Sequence, residues 1–142
     1  MKAEKICVSL ETAKRLHEAG IVVDSYFHWV GSKFSARKPI LTFNNIMPEA
    51  FTYCEQYRMG LFKYPAPTAE ELLAILPKKI EYDGLPFKME ITESETHPSE
   101  YLLWYLYRPT KIYMSVNGNR LCEIIAKMLI RLKKEAGYEL DK

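Results

Sequence analysis

The feature that most constrains the fold of this chain is the apolar pattern between residues 119 and 137. Six aliphatic side chains recur at the spacing of one helix face: Leu121, Ile124, Ile125, Met128, Leu129 and Leu132. Cys122, Ala126 and Ile130 widen this apolar side, so we expect the helix to be covered over more than half of its circumference. Asn119 is predicted to cap the start of the helix, and Gly137 to end it in the left-handed conformation.

A first strand, a helix and a pair of strands are predicted near the N-terminus. A short strand is expected around residues 5–8, and Ser9 and Gly20 have the residue types that begin and end a helix. Residues 24–30 carry bulky side chains on both faces, which favours a central strand over an edge strand. Residues 40–43 are predicted to return and pair with it, whereas residues 44–67 show no clear pattern.

The second half of the chain has two clear local signals. Thr68 and Glu71 form the pattern of a capping box, which predicts a short helix over residues 69–76. Asp83 and Gly84 are typical of a two-residue hairpin turn, and they separate predicted strands at residues 79–82 and 85–92. Two further strands are predicted, at residues 101–108, which we expect in the sheet centre, and at residues 112–116.

These elements predict one α+β domain over residues 1–142. It should contain a mostly antiparallel sheet with an N-terminal helix, a short middle helix and the long C-terminal amphipathic helix packed on it. The composition, 48% hydrophobic and 27% charged residues, is that of a globular protein. No apolar run has the length of a membrane span, and the three widely spaced cysteines indicate reduced thiols, so a cytoplasmic protein is expected.

The sequence carries no motif of catalysis or metal binding. Its cysteines and histidines lack CxxC, HxxxH and HExxH spacing, so neither a metal nor another cofactor is predicted. Cys54 with His28 or His97 is the weaker alternative for an enzyme site, but no nucleophile signature accompanies it. We therefore expect a protein without catalytic activity.

Nucleic-acid binding is the stronger alternative, because basic side chains neutralise phosphates and aromatic rings stack on bases. Phe27 and Trp29 belong to the strand beside a basic loop at residues 33–38. The candidate basic residues are Lys33, Arg37, Lys38, Arg58 and Lys63. The net charge of +2 provides no further support for such a partner.

Binding to a protein partner or to a second copy of the chain is the leading hypothesis. The ten tyrosines and the wide apolar side of the last helix exceed what a single core of this size needs. The candidate residues for that surface are Ile130, Tyr57 and Tyr64.

Several segments also resemble small proteins encoded by tailed phages and prophages. These segments are SLETAKRLHEAGI followed by SYFHWV, then YPAPTAEELLAILP, and finally AKMLIRL. The resemblance spans most of the chain and implies an accessory protein of phage origin. It carries over no catalytic residue, and residues 44–58 match nothing in it.

Overall fold

The computed structural model describes residues 6–33, 38–43, 61–93, 100–107, 111–135 and 137. The chain forms two compact units, residues 1–71 and 72–142. The prediction of one domain over residues 1–142 stays a prediction. In chain order the elements are α1 (Leu10–Glu18), β1 (Phe27–Ser32), β2 (Ile40–Phe43), β3 (Leu61–Pro65), α2 (Ala69–Leu73), β4 (Lys79–Tyr82), β5 (Leu85–Glu93), β6 (Tyr101–Tyr107), β7 (Lys111–Gly118) and α3 (Leu121–Lys134).

The N-terminal unit contains an antiparallel sheet in the order β2-β1-β3. The central position of β1 is the one predicted, and its pairing with β2 is confirmed. The Ser9 hydroxyl accepts a hydrogen bond from the Thr12 N–H at 3.2 Å, and Gly20 has a φ of 74°, so both predicted ends of α1 are confirmed. Ala13 and Leu16 are buried on one face of this helix.

The strand expected around residues 5–8 is reduced to a single bridge in the described part of the chain. Cys7 pairs with Thr68, and the Val8 N–H donates to the Pro67 carbonyl at 3.1 Å. This bridge joins the segment before α1 to the segment before α2.

The predicted capping box at the start of α2 is confirmed. The Thr68 N–H donates to Glu71 Oε1 at 2.9 Å, and the Glu71 N–H donates to Thr68 Oγ1 at 3.3 Å. The helix ends earlier than expected, at Leu73 rather than at residue 76, and the chain continues as a turn.

The C-terminal unit contains an antiparallel sheet in the order β4-β5-β6-β7. Asp83 and Gly84 both have positive φ, 54° and 77°, which confirms the two-residue hairpin turn between β4 and β5. Strand β6 lies between β5 and β7, so its predicted place inside the sheet is confirmed. Only one face of β6 is buried, through Leu103 and Tyr105.

Helix α3 packs against β6 and β7 and is the most buried element of this unit. Eight of its 14 residues are buried, which confirms the expected wide apolar side. The predicted cap is wrong, because the helix begins one residue later and Arg120 occupies the N-cap position without a side-chain hydrogen bond to the helix. Gly137 has the predicted positive φ, 63°, but it lies two residues beyond Glu135, which is the C-cap of the helix.

The α+β class and the three predicted helices on antiparallel strands are therefore confirmed. None of the helices in the described ranges is long and apolar enough to cross a membrane.

Candidate interaction surface

An open groove in the C-terminal unit brings together two of the most exposed apolar side chains of the described residues. Tyr82 and Ile112 are each 54% exposed, and both line this groove, which has a volume of about 380 Å³. We call it the Tyr82 groove, and its lining residues are Tyr82, Asp83, Leu85, Phe87, Lys111, Ile112 and Tyr113. Exposed apolar groups that cluster in this way are typical of interaction sites.

The groove is built from both edges of the four-stranded sheet. Tyr82 is the last residue of β4, whereas Ile112 and Tyr113 are near the start of β7. Three strand spacings separate these edges, about 14 Å in a flat sheet. The rings of Tyr82 and Tyr113 nevertheless have centroids 4.5 Å apart, so they close one end of the groove across the sheet.

An irregularity in β7 places Tyr113 in this contact. Leu106 pairs with Ile112 and Tyr105 pairs with Met114, which leaves Tyr113 as an extra residue in the register. Such a bulge turns a side chain away from the regular alternation.

Phe87 forms the floor that holds the aromatic side chains in place. Its side chain is buried, and its ring centroid lies 5.7 Å from that of Tyr113, 6.1 Å from that of Tyr107 and 6.5 Å from that of Tyr82. Burial raises the pKa of the Tyr113 hydroxyl, and Tyr82 and Glu135 raise this pKa further, so the hydroxyl stays neutral at physiological pH. The aromatic part of the groove is thus uncharged.

Two opposite charges stand at the rim of the groove. Asp83 belongs to the turn beside β4, and Lys111 begins β7; both are exposed. A second groove, lined by Pro86, Lys88, Glu90, Leu106 and Tyr107, has Lys88 on the opposite face of the sheet from Phe87, because the two are adjacent in β5. This second groove also carries one basic and one acidic side chain.

Among the basic residues predicted to bind nucleic acid, Lys63 does not share a sheet face with Trp29. Lys33, Lys38 and Lys63 are exposed in the N-terminal unit. Trp29 pairs with Tyr64, and the adjacent Val30 pairs with Lys63, so Lys63 lies on the opposite face of the sheet from Trp29.

The ring-bearing face of that sheet is instead covered by α1. Lys14 Nζ lies 5.3 Å from the ring centroid of Phe62, and the His17 and Tyr64 rings have centroids 5.4 Å apart. The Trp29 indole N–H donates to the Val8 carbonyl at 3.0 Å. Trp29 therefore does not present its ring beside Lys63, and nucleic-acid binding by the lysines stays a prediction. Arg37 and Arg58 lie outside the described residues.

The residues expected to form an interaction surface are not the ones that the structure exposes. Ile130 is only 5% exposed, so it contributes to the interior and not to a surface. Tyr64 is half-buried in its contacts with His17 and Phe62, and Tyr57 lies outside the described residues.

The residues that the structure describes include no group of three potential metal ligands. Cys122 is buried, which raises the pKa of its thiol and makes it a poor nucleophile. Burial also lowers the pKa of His28, and Lys63 lowers this pKa further, against an opposite effect of Glu71. Cys54 and His97 lie outside the described ranges.

Sequence reasoning missed the Tyr82 groove, although it found the turn beside it. Ile112 pairs with Leu106 on a face that otherwise carries polar residues of β7, Ser115 and Asn117. Because Ile112 is a single apolar residue beside a bulge, it does not belong to an alternating apolar pattern that the sequence could reveal. The position of Tyr82 next to Asp83-Gly84, at the end of a short strand, was the one available hint.

Comparison of the chain with known protein families, with curated proteins and with solved structures finds no match in any of the three.

Proposed function

We propose that this chain is a non-enzymatic interaction module that binds a protein partner through the Tyr82 groove. The observation that carries the proposal is the joint exposure of Tyr82 and Ile112 in one preformed groove. Leaving such side chains in water is unfavourable, and covering them with a partner's apolar atoms contributes about 25 cal/mol per Å² of buried apolar area. Tyrosine is also among the residues that dominate binding at protein interfaces.

The cellular setting belongs to the same proposal. The resemblance to phage and prophage proteins supports a cytoplasmic accessory protein that acts through association. Nucleic-acid binding stays a prediction for Lys33, Lys38 and Lys63, and the balanced charges around the Tyr82 groove do not favour a polyanion at this site.

Site-specific photo-crosslinking in cells that naturally produce the chain tests the proposal. A photo-reactive amino acid in place of Ile112 should give crosslinked protein adducts. The matched control is Ile40, which is 62% exposed in the other unit and should give none. Tyr82→Asp in the same chain should remove the Ile112 adducts, because it places a charge in the apolar groove.

Absence of adducts at position 112, or adducts that persist unchanged with Tyr82→Asp, would show that the groove is not the binding surface. Circular dichroism of the Tyr82→Asp variant establishes that it is folded, as expected for a substitution at an exposed position.

A further inference from the structure

We infer that the partner at the Tyr82 groove is a second copy of this chain, related to the first by a two-fold axis. This inference rests on the proposed function, because it names the occupant of the same surface. A two-fold contact must be self-complementary, because the same surface patch of both copies forms it.

The charges at the groove meet this requirement. Asp83 comes from the β4 side of the sheet and Lys111 from the β7 side, with the ring pair of Tyr82 and Tyr113 between the two strands. Among the described residues neither Asp83 nor Lys111 has an ion-pair partner. A two-fold rotation places Asp83 of each copy opposite Lys111 of the other, which forms two equivalent pairs around an apolar centre.

Asp83 and Lys111 give the Tyr82 groove one charge of each sign. Two copies of this groove therefore meet without net repulsion. A partner that carries charge of one sign only would place a like charge opposite either Asp83 or Lys111, which is unfavourable.

The outer edge of β7 argues for face-to-face docking rather than addition of a strand. In an antiparallel sheet, the backbone N–H and C=O groups of successive residues point alternately toward the two neighbouring strands. The hairpin turn between β4 and β5 fixes which residues of β5 point their backbone groups toward β4. Carried through the registers of β5 and β6, the alternation directs the Ser115 carbonyl away from β6. Arg131 donates to that carbonyl at 2.7 Å and is itself held by Glu135 at 3.1 Å. With this contact and the bulge at Tyr113, the edge is protected against another strand.

Sedimentation equilibrium with charge-swapped variants tests the inference. The wild-type chain should form a reversible dimer. Lys111→Asp should weaken the dimer at least tenfold, because each of the two ion pairs is then replaced by two carboxylates that repel each other. The double variant Asp83→Lys/Lys111→Asp should restore dimerisation, because the pairs re-form with reversed sign.

The left-handed conformation of Asp83, with a φ of 54°, calls for a second variant at this position. Asp83→Asn removes the charge and keeps a residue type that tolerates this conformation, and it should also weaken the dimer. The matched control swaps Asp24 and Lys38, two exposed charged residues of the other unit, and should leave the dimer unchanged.

A wild-type chain that stays monomeric at millimolar concentration would overturn the inference, and so would a double variant no better than Lys111→Asp alone. Adducts of Ile112 with a different protein, together with a monomeric chain, would overturn the two-fold dimer and leave the proposed function standing. Absence of any Ile112 adduct would remove the proposed function as well.

Discussion

At Gly31 the chain requires a residue without a side chain. This position in β1 lies opposite Phe62 of β3, and a Cβ atom on residue 31 would be 2.6 Å from Cζ of that ring. The same ring also contacts Tyr64, at a centroid distance of 5.7 Å, and Lys14. The constraint on this residue thus comes from a partner that follows it by 31 positions.

We predict that Gly31→Ala lowers the free energy of unfolding by about 1–3 kcal/mol, the usual cost of forcing extra atoms into a packed region. Chemical denaturation measures this loss. In a Phe62→Leu background the same substitution should cost less, because the branched side chain is shorter than the ring. An equal cost in both backgrounds would contradict the proposed clash.

At the scale of an element, Glu71 does more than complete a capping box. Its carboxylate accepts hydrogen bonds from the Thr68 N–H at 2.9 Å, the Ser25 hydroxyl at 2.8 Å and the Tyr26 N–H at 3.1 Å. The Ser25 hydroxyl in turn accepts from the Phe27 N–H at 3.1 Å. One side chain at the start of α2 therefore holds the segment that leads into β1.

Glu71→Ala should lower the free energy of unfolding by about 2–3 kcal/mol, because it leaves several polar groups without their charged acceptor. The neighbouring Glu70 is exposed in the same helical turn and provides a matched control. Glu70→Ala should change the unfolding free energy by less than about 0.5 kcal/mol in the same denaturation experiment. Equal losses for the two variants would mean that the hydrogen bonds of Glu71 contribute little to stability.

At the scale of the whole molecule, the question is whether residues 1–142 unfold as one domain. Each compact unit contains one tryptophan, Trp29 in residues 1–71 and Trp104 in residues 72–142. A chain with only one of the two reports the unfolding of a single unit through its fluorescence, whereas far-ultraviolet circular dichroism reports both.

For the single domain predicted from the sequence, fluorescence and circular dichroism should give the same denaturation midpoint in Trp29→Phe and again in Trp104→Phe. Coincident transitions are the signature of one cooperative unit. Comparing two probes within each variant removes the effect of the substitution on stability. Fluorescence midpoints that depart from the circular dichroism midpoints in opposite directions would show two domains instead.

Several features of this protein could be predicted because neighbouring residues decide them. The cap at Ser9, the capping box of Thr68 and Glu71, and the turn at Asp83 and Gly84 each depend on groups within four positions of one another. The periodicity of α3 likewise specifies which side of the helix is buried. The cap at Asn119 failed by one residue, because the start of a helix shifts at little cost when no side chain fixes it.

The candidate surface could not be predicted, because it depends on how distant strands are placed. The helices, the turns and the alternation within each strand follow from local geometry, so neighbouring residues are enough to specify them. The opposite orientations of Trp29 and Lys63, and the contact of Tyr82 with Tyr113 across a sheet, depend instead on the pairing of distant strands. A register shift of a single residue reverses every side chain of a strand, and no local pattern records the register between distant strands.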